Sequence, residues 1–237
     1  MDWYIFGRKG KNMAKKQNKG TSRSSTSIGQ AQRLGIFGAS GSGKTTKARE
    51  LTGKLGRIVY FDPLQELARE RGVKAFGDLE SLKSALRKEF ARGFRFAFCP
   101  GFGDEISQLN DLCYFLVALQ NGYMTGQHTA QMTLVVDELD LGFPSGMTQR
   151  DPKNGFAYLC RRGRHYGINL VGISQRPAQV DVCFRANCSG MYLFRHTDPI
   201  DFDIGVKMLG REYRETFRKL DNYQYIYKSG QKIFVKK

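Results

Sequence analysis

From Arg33 onward the chain alternates short apolar runs with longer stretches in which apolar residues return every three or four positions. Six runs, at 34–37, 58–61, 94–99, 134–136, 168–173 and 191–194, are almost continuously apolar, which predicts strands buried on both faces. Between them, 64–71, 79–92, 105–120, 156–166 and 206–210 have helical spacing or composition. In 81–92 the residues Leu82, Ala85, Leu86 and Phe90 fall on one helical face. In 105–120 Ile106, Leu109, Leu112, Cys113 and Leu116 do the same. Strands alternating with helices predict an α/β fold built on a mostly parallel sheet. Near the end, 223–227 and 232–235 flank Lys228-Ser229-Gly230-Gln231, a predicted C-terminal β-hairpin whose tyrosines share one sheet face. No internal repeat interrupts this order, and residues 33–237 read as one domain.

Residues 1–32 follow a different rule. Met1 to Gln30 holds seven Lys/Arg and one acidic residue among many Ser, Gly, Asn and Gln, too few apolar groups to bury a core. A basic, disordered arm is expected there. At its tip Trp3, Tyr4, Ile5 and Phe6 form an apolar cluster that reads either as a docking hook or as a frayed terminus.

The first apolar run leads directly into chemistry. Gly38, Ala39, Ser40, Gly41, Ser42, Gly43, Lys44 and Thr45 fit the pattern G-x-x-x-x-G-K-[ST], with Thr46 following and a helical stretch after that. The motif carries weight only between a strand and a helix, and it stands there here. Glycines let successive backbone N–H groups turn toward an anion at the positive end of a helix. Lys44 would then reach the β- and γ-phosphates of a nucleoside triphosphate, and the Thr45 hydroxyl would bind Mg2+.

Three further elements join it. The run 133–136 ends in Asp137 and Glu138. In P-loop ATPases an Asp so placed holds Mg2+ through water, and the adjacent Glu polarises the attacking water as a general base. The run 168–173 ends near Gln175, an amide placed to sense the γ-phosphate if its strand inserts between the acidic strand and the phosphate-loop strand. Arg161, Arg162 and Arg164 follow Glu138 by 23 to 26 residues. They suit either an arginine finger for a neighbouring subunit's ATP or a DNA phosphate, and spacing does not choose among the three. The segment 142–155, with Arg150 and Lys153, reads as a candidate pore loop.

With these residues in hand, residues 33–200 resemble the FtsK–HerA superfamily of DNA-pumping ATPases, and within it the viral branch that packages genomes into tailless, internal-membrane capsids. The resemblance lies in GASGSGKT, in Phe61-Asp62-Pro63, in VVDE, and in GRHYG leading to ISQRP. It implies a RecA-like core, ATP and Mg2+ as cofactors, a hexameric homo-oligomeric ring and double-stranded DNA threaded through it. Capsid or vertex proteins would be its partners, in the host cytoplasm or at the virion's packaging vertex.

Composition narrows the classes. A net charge of +16 suits a polyanionic partner. Five cysteines, with no C-x-x-C pair, suit a reducing compartment. The longest apolar run, 113–119, falls well short of the ~20 residues of a membrane span, and no signal peptide is recognisable. An intracellular, soluble protein is expected. A nucleoside or nucleotide kinase shares the phosphate loop, but Glu138 beside Asp137 activates water, which a kinase avoids. Plasmid transfer and filamentous-phage assembly remain alternative settings for the same motor. No N-K-x-D, D-x-x-G or L-S-G-G-Q stretch supports a nucleotide switch or a transporter ATPase.

Overall fold

The computed structural model describes residues 31–236. The expected basic arm, apart from its last two residues, and the cluster at Trp3 lie outside this range. Nine strands form a single sheet in the order β3-β4-β2-β5-β6-β1-β7-β8-β9. The six predicted runs become β1 (Arg33–Phe37), β2 (Arg57–Phe61), β4 (Phe94–Phe98), β5 (Met132–Val136), β6 (Ile168–Ser174) and β7 (Gly190–Phe194). All six are mutually parallel where they pair. Every residue of β5 and β6 is buried, as continuous apolar runs require in a sheet covered on both faces.

Side chains alternate across the sheet, so each strand feeds two cores. Ile36, Ile58, Tyr60, Val135, Val171 and Ile173 point to the face covered by α1 (Lys44–Thr52), where Ala48 packs. Phe37, Val59, Phe61, Leu134, Val136 and Leu170 point to the other. That second core takes Leu82 and Leu86 from α2 (Leu79–Glu89) and Leu109, Leu112, Cys113 and Leu116 from α3 (Glu105–Leu119). The helix Gly155–Arg162 adds Phe156, Ala157, Leu159 and Cys160 to it. Asp78 starts α2 by accepting the Ser81 N–H at 2.7 Å.

Beyond β7 the direction reverses. β8 (Tyr225–Ser229) and β9 (Lys232–Lys236) form the predicted antiparallel hairpin, closed by Gly230 at φ 58°. The expected helix at 206–210 is longer, beginning at Pro199 behind the cap residue Asp198.

Two readings need correction. Residues 64–71 are turns, not a helix. The buried Asp62 carboxylate accepts the N–H groups of Glu66 (3.1 Å) and Ala68 (2.7 Å), and Gln65 takes φ 59°. A side-chain acceptor thus takes N–H groups that a helix would have used. The strand β3 (Lys74–Phe76) has no counterpart among the predicted runs; it is a three-residue edge strand with Lys74 and Ala75 exposed. The segment 142–155 is also less loop-like than expected, since Phe143, Met147 and Asn154 are buried while Arg150 and Lys153 stay exposed.

Candidate nucleotide site

Because β1, β2, β4, β5, β6 and β7 are parallel, their carboxyl ends share one edge, where open α/β sheets collect ligands. β6 pairs with β5 on one side and β1 on the other. The acidic strand and the phosphate-loop strand are therefore one strand apart, roughly 10 Å.

The loop Gly38–Gly43 turns from β1 into α1. Gly41 (φ 70°) and Gly43 (φ 109°) occupy the left-handed region that glycine enters without strain. Gly38 is held for a different reason: a Cβ there would stand 2.5 Å from Phe194 Cβ and 2.7 Å from Ser42 Oγ. The Ala39 N–H donates to Arg195 O (2.8 Å), the Ser42 N–H to Ala39 O (3.2 Å), and Gly38 N–H to Ser174 O (3.3 Å). The N–H groups of Gly41, Gly43, Lys44, Thr45 and Thr46 have no backbone acceptor among the described residues. A row of free donors at a helix start is an anion cradle. Ser42 Oγ is buried with no partner of its own. The buried Lys44 ammonium folds back over the loop to donate to Ala39 O at 3.0 Å.

Asp137 follows β5 and is fixed through its N–H to Phe61 O at 2.9 Å. Glu138 takes φ 44°, ψ 56°, a left-handed backbone rare for a residue with a side chain and costly enough to need support. Gln175 Nε2 supplies it, donating to Glu138 Oε1 at 2.7 Å. Next to it the Ser174 hydroxyl donates to Asp140 Oδ1 at 2.6 Å.

Electrostatics ties the two strand tips together. Burial lowers the Lys44 pKa, and Glu138, then Asp137, Glu66 and Asp140 oppose that change. Burial also raises Glu138, against the pull of Gln175 and Lys44. Asp137 is pushed up to about 7 by burial, with Glu138 and Asp62 adding repulsion. The glycine cradle, its lysine and the acidic pair thus share one site.

No family model matches the chain, and no curated protein matches it in sequence. Solved structures do match. The genome packaging NTPase B204 of Sulfolobus turreted icosahedral virus 2, in complex with AMPPCP, superposes with a TM-score of 0.66 at 14% identity, covering 87% of this chain and 97% of that one. VirB4 of Thermoanaerobacter pseudethanolicus gives 0.59 at 12% identity, over 86% of this chain and 88% of that one. The fold is that of a P-loop ATPase. It agrees with the resemblance drawn from GASGSGKT, VVDE and ISQRP, and at these identities it is the backbone that is shared, with few side chains in common.

Within this P-loop ATPase fold the predicted residues fall into two groups. Gly38 to Thr46, Asp137, Glu138 and Gln175 meet at the carboxyl edge. Arg161, Arg162 and Arg164 do not. Arg161 and Arg162 end the helix that leads down to β6, and Arg164 lies in the 3-10 turn Gly163–Tyr166, beside Ala31 and Tyr123. That is where β1 and β6 begin, a full strand length from the chain's own phosphate loop, so the three arginines can act only on a ligand outside their own site. Sequence reading missed several neighbours of the loop: Asp62 and Glu66, which charge the acid side, and Arg195 and Tyr223, which brace it. No periodic or motif signal marks them, because they arrive from turns.

The chemistry available is specific. The free N–H groups and Lys44 can bind a phosphate chain. Glu138, raised by burial yet oriented by an amide donor, can accept a proton from water. Among the described residues no group of three or more His, Cys, Asp or Glu is placed to hold a metal by itself. A dication here would share oxygen ligands from phosphates and water.

Proposed function

We propose that this chain is an ATPase that uses hydrolysis to move double-stranded DNA, working as a hexameric homo-oligomeric ring in viral genome packaging. One observation carries the ATPase part: Glu138, held by Gln175 at 2.7 Å, faces electrostatically the same lysine that closes the glycine cradle. In this reading the cradle and Lys44 hold the triphosphate, Glu138 takes the proton of the attacking water, and Gln175 keeps the carboxylate in place. Thr45 and Asp137 would hold Mg2+, which would neutralise charge on the phosphates. The pile of buried acid around Asp137 fits a dication, whose charge would let that carboxyl ionise.

The DNA part is supported by the net charge of +16 and by the shared fold, since one neighbour is described as the DNA-packaging ATPase of Sulfolobus turreted icosahedral virus. A ring reading also gives Arg161, Arg162 and Arg164 a task, because only an adjacent subunit can bring them to a nucleotide. Among the described residues no helix is long and apolar enough to cross a membrane, in keeping with action in the host cytoplasm or at a virion vertex next to capsid or portal proteins.

The test is ATP hydrolysis measured with and without long duplex DNA, at several salt concentrations. Stimulation by duplex that weakens as salt rises is expected, since a motor grips the phosphate backbone. Phosphate transfer to a nucleoside, with no response to DNA, would put the chain among the kinases instead.

A further inference from the structure

The tyrosines of 223–227 do not share one face. Tyr225 and Tyr227 are sheet residues: Tyr192 stacks on Tyr227 at 4.4 Å and meets Tyr225 edge-on at 5.3 Å. Tyr223 lies in the turn before β8, is 65% exposed, and takes φ 66°. A bulky residue in the left-handed region is strained, and such strain persists only where the surroundings impose it.

Here the phosphate loop imposes it. The Tyr223 N–H donates to Ser42 O at 2.8 Å. The preceding Asn222 Oδ1 accepts two bonds from the Arg195 guanidinium, at 3.2 and 3.1 Å, and the Arg195 carbonyl accepts the Ala39 N–H. The turn is bolted to the loop at both Ala39 and Ser42. The edge of the ring lies against Gly43, so close that a Cβ there would be 2.9 Å from Tyr223 Cδ1. One aromatic face is left to solvent beside the loop.

We propose that this face of Tyr223 is the platform on which the nucleobase of the bound triphosphate stacks, an inference that rests on reading the glycine loop as a nucleotide site. Strand order gives the direction. Glu138 and Gln175 stand on the β5–β6 side of β1 and mark the γ-phosphate end. The ribose and base then leave toward the opposite flank, where β7 and the turn before β8 lie. The other aromatic near that flank, Phe202, is already covered, stacked on Phe217 at 5.2 Å with Arg214 and Arg218 over its ring. Tyr223 has a free face, and stacking on it accepts any base because every base presents a π surface.

The experiment compares the affinities of ATP and inorganic tripolyphosphate for wild type, Tyr223→Ala and Tyr223→Phe. Tyr223→Ala should weaken ATP about tenfold, roughly 1.4 kcal/mol, and leave tripolyphosphate unchanged, while Tyr223→Phe keeps both. An equal loss of ATP and tripolyphosphate would make Tyr223 a mere brace of the loop and overturn the proposal, as would no loss at all. A wild type that binds neither ligand would instead remove the nucleotide reading itself. As a second readout, Tyr223→Trp fluorescence should change with ATP and stay flat with tripolyphosphate.

Discussion

Asp137→Asn should make the nucleotide-free protein more stable while abolishing its chemistry. In the free protein this buried carboxyl, 5% exposed, has Glu138 and Asp62 close by and is lifted from 3.8 to about 7. The folded chain therefore keeps the proton up to about pH 7, whereas the unfolded chain releases it near its ordinary value. Where the folded state binds more protons, stability falls as pH rises, so wild type loses stability between about pH 4 and 7. At ~1.4 kcal/mol for each tenfold difference in acidity between the two states, the full cost approaches ~4 kcal/mol, and relaxation around the site brings the expected figure to about 2–4 kcal/mol. Asparagine carries no such cost and keeps an oxygen for the Glu138 N–H that Asp137 Oδ1 now accepts at 3.1 Å. Denaturant unfolding without nucleotide, from pH 4 to 8, should show the two proteins alike at the acid end and the Asn variant ahead by that margin at pH 8. A gap independent of pH, or a less stable Asn variant, would refute the reasoning.

Other outcomes follow from the same geometry. Gln175→Ala removes the donor that holds the Glu138 pKa down, so the acid limb of the pH–kcat profile should move to higher pH. In mixing experiments, an Arg161, Arg162 or Arg164→Ala chain and a Lys44→Ala chain, each inactive alone, should restore hydrolysis together, because the second lends its arginine to the first one's intact loop. A pair that stays inactive for all three arginines argues against action between subunits. Gly38→Ala forces a methyl group to within 2.5 Å of Phe194, and equilibrium binding should show loss of ATP affinity together with about 1–3 kcal/mol of stability.

Much of this was legible from residue order because burial on both faces writes itself as uninterrupted apolar runs. β5 and β6 were readable for that reason, and the glycine loop because its chemistry demands fixed spacing. The turn at 64–71 was not, since its helical composition was overruled by one buried carboxylate, Asp62, capturing backbone donors. β3 was too short and too exposed to leave a pattern. Gln175 could be placed beside Glu138 only through an assumed strand order, which the sheet has. Tyr223 was grouped with its neighbours by period-two spacing, and its separate position depends on Arg195 and Ser42, residues far away in sequence.

The central claim is that the glycine cradle and the acidic strand tip act on one triphosphate, the first binding it and the second activating water. Measuring ATP affinity and single-turnover hydrolysis of Glu138→Gln beside wild type tests it most directly. The account predicts that the variant binds ATP as tightly as wild type and hydrolyses it at least a hundredfold more slowly, in line with the ~10²–10⁴-fold contribution of a general base. Hydrolysis at the wild-type rate with affinity intact would contradict it.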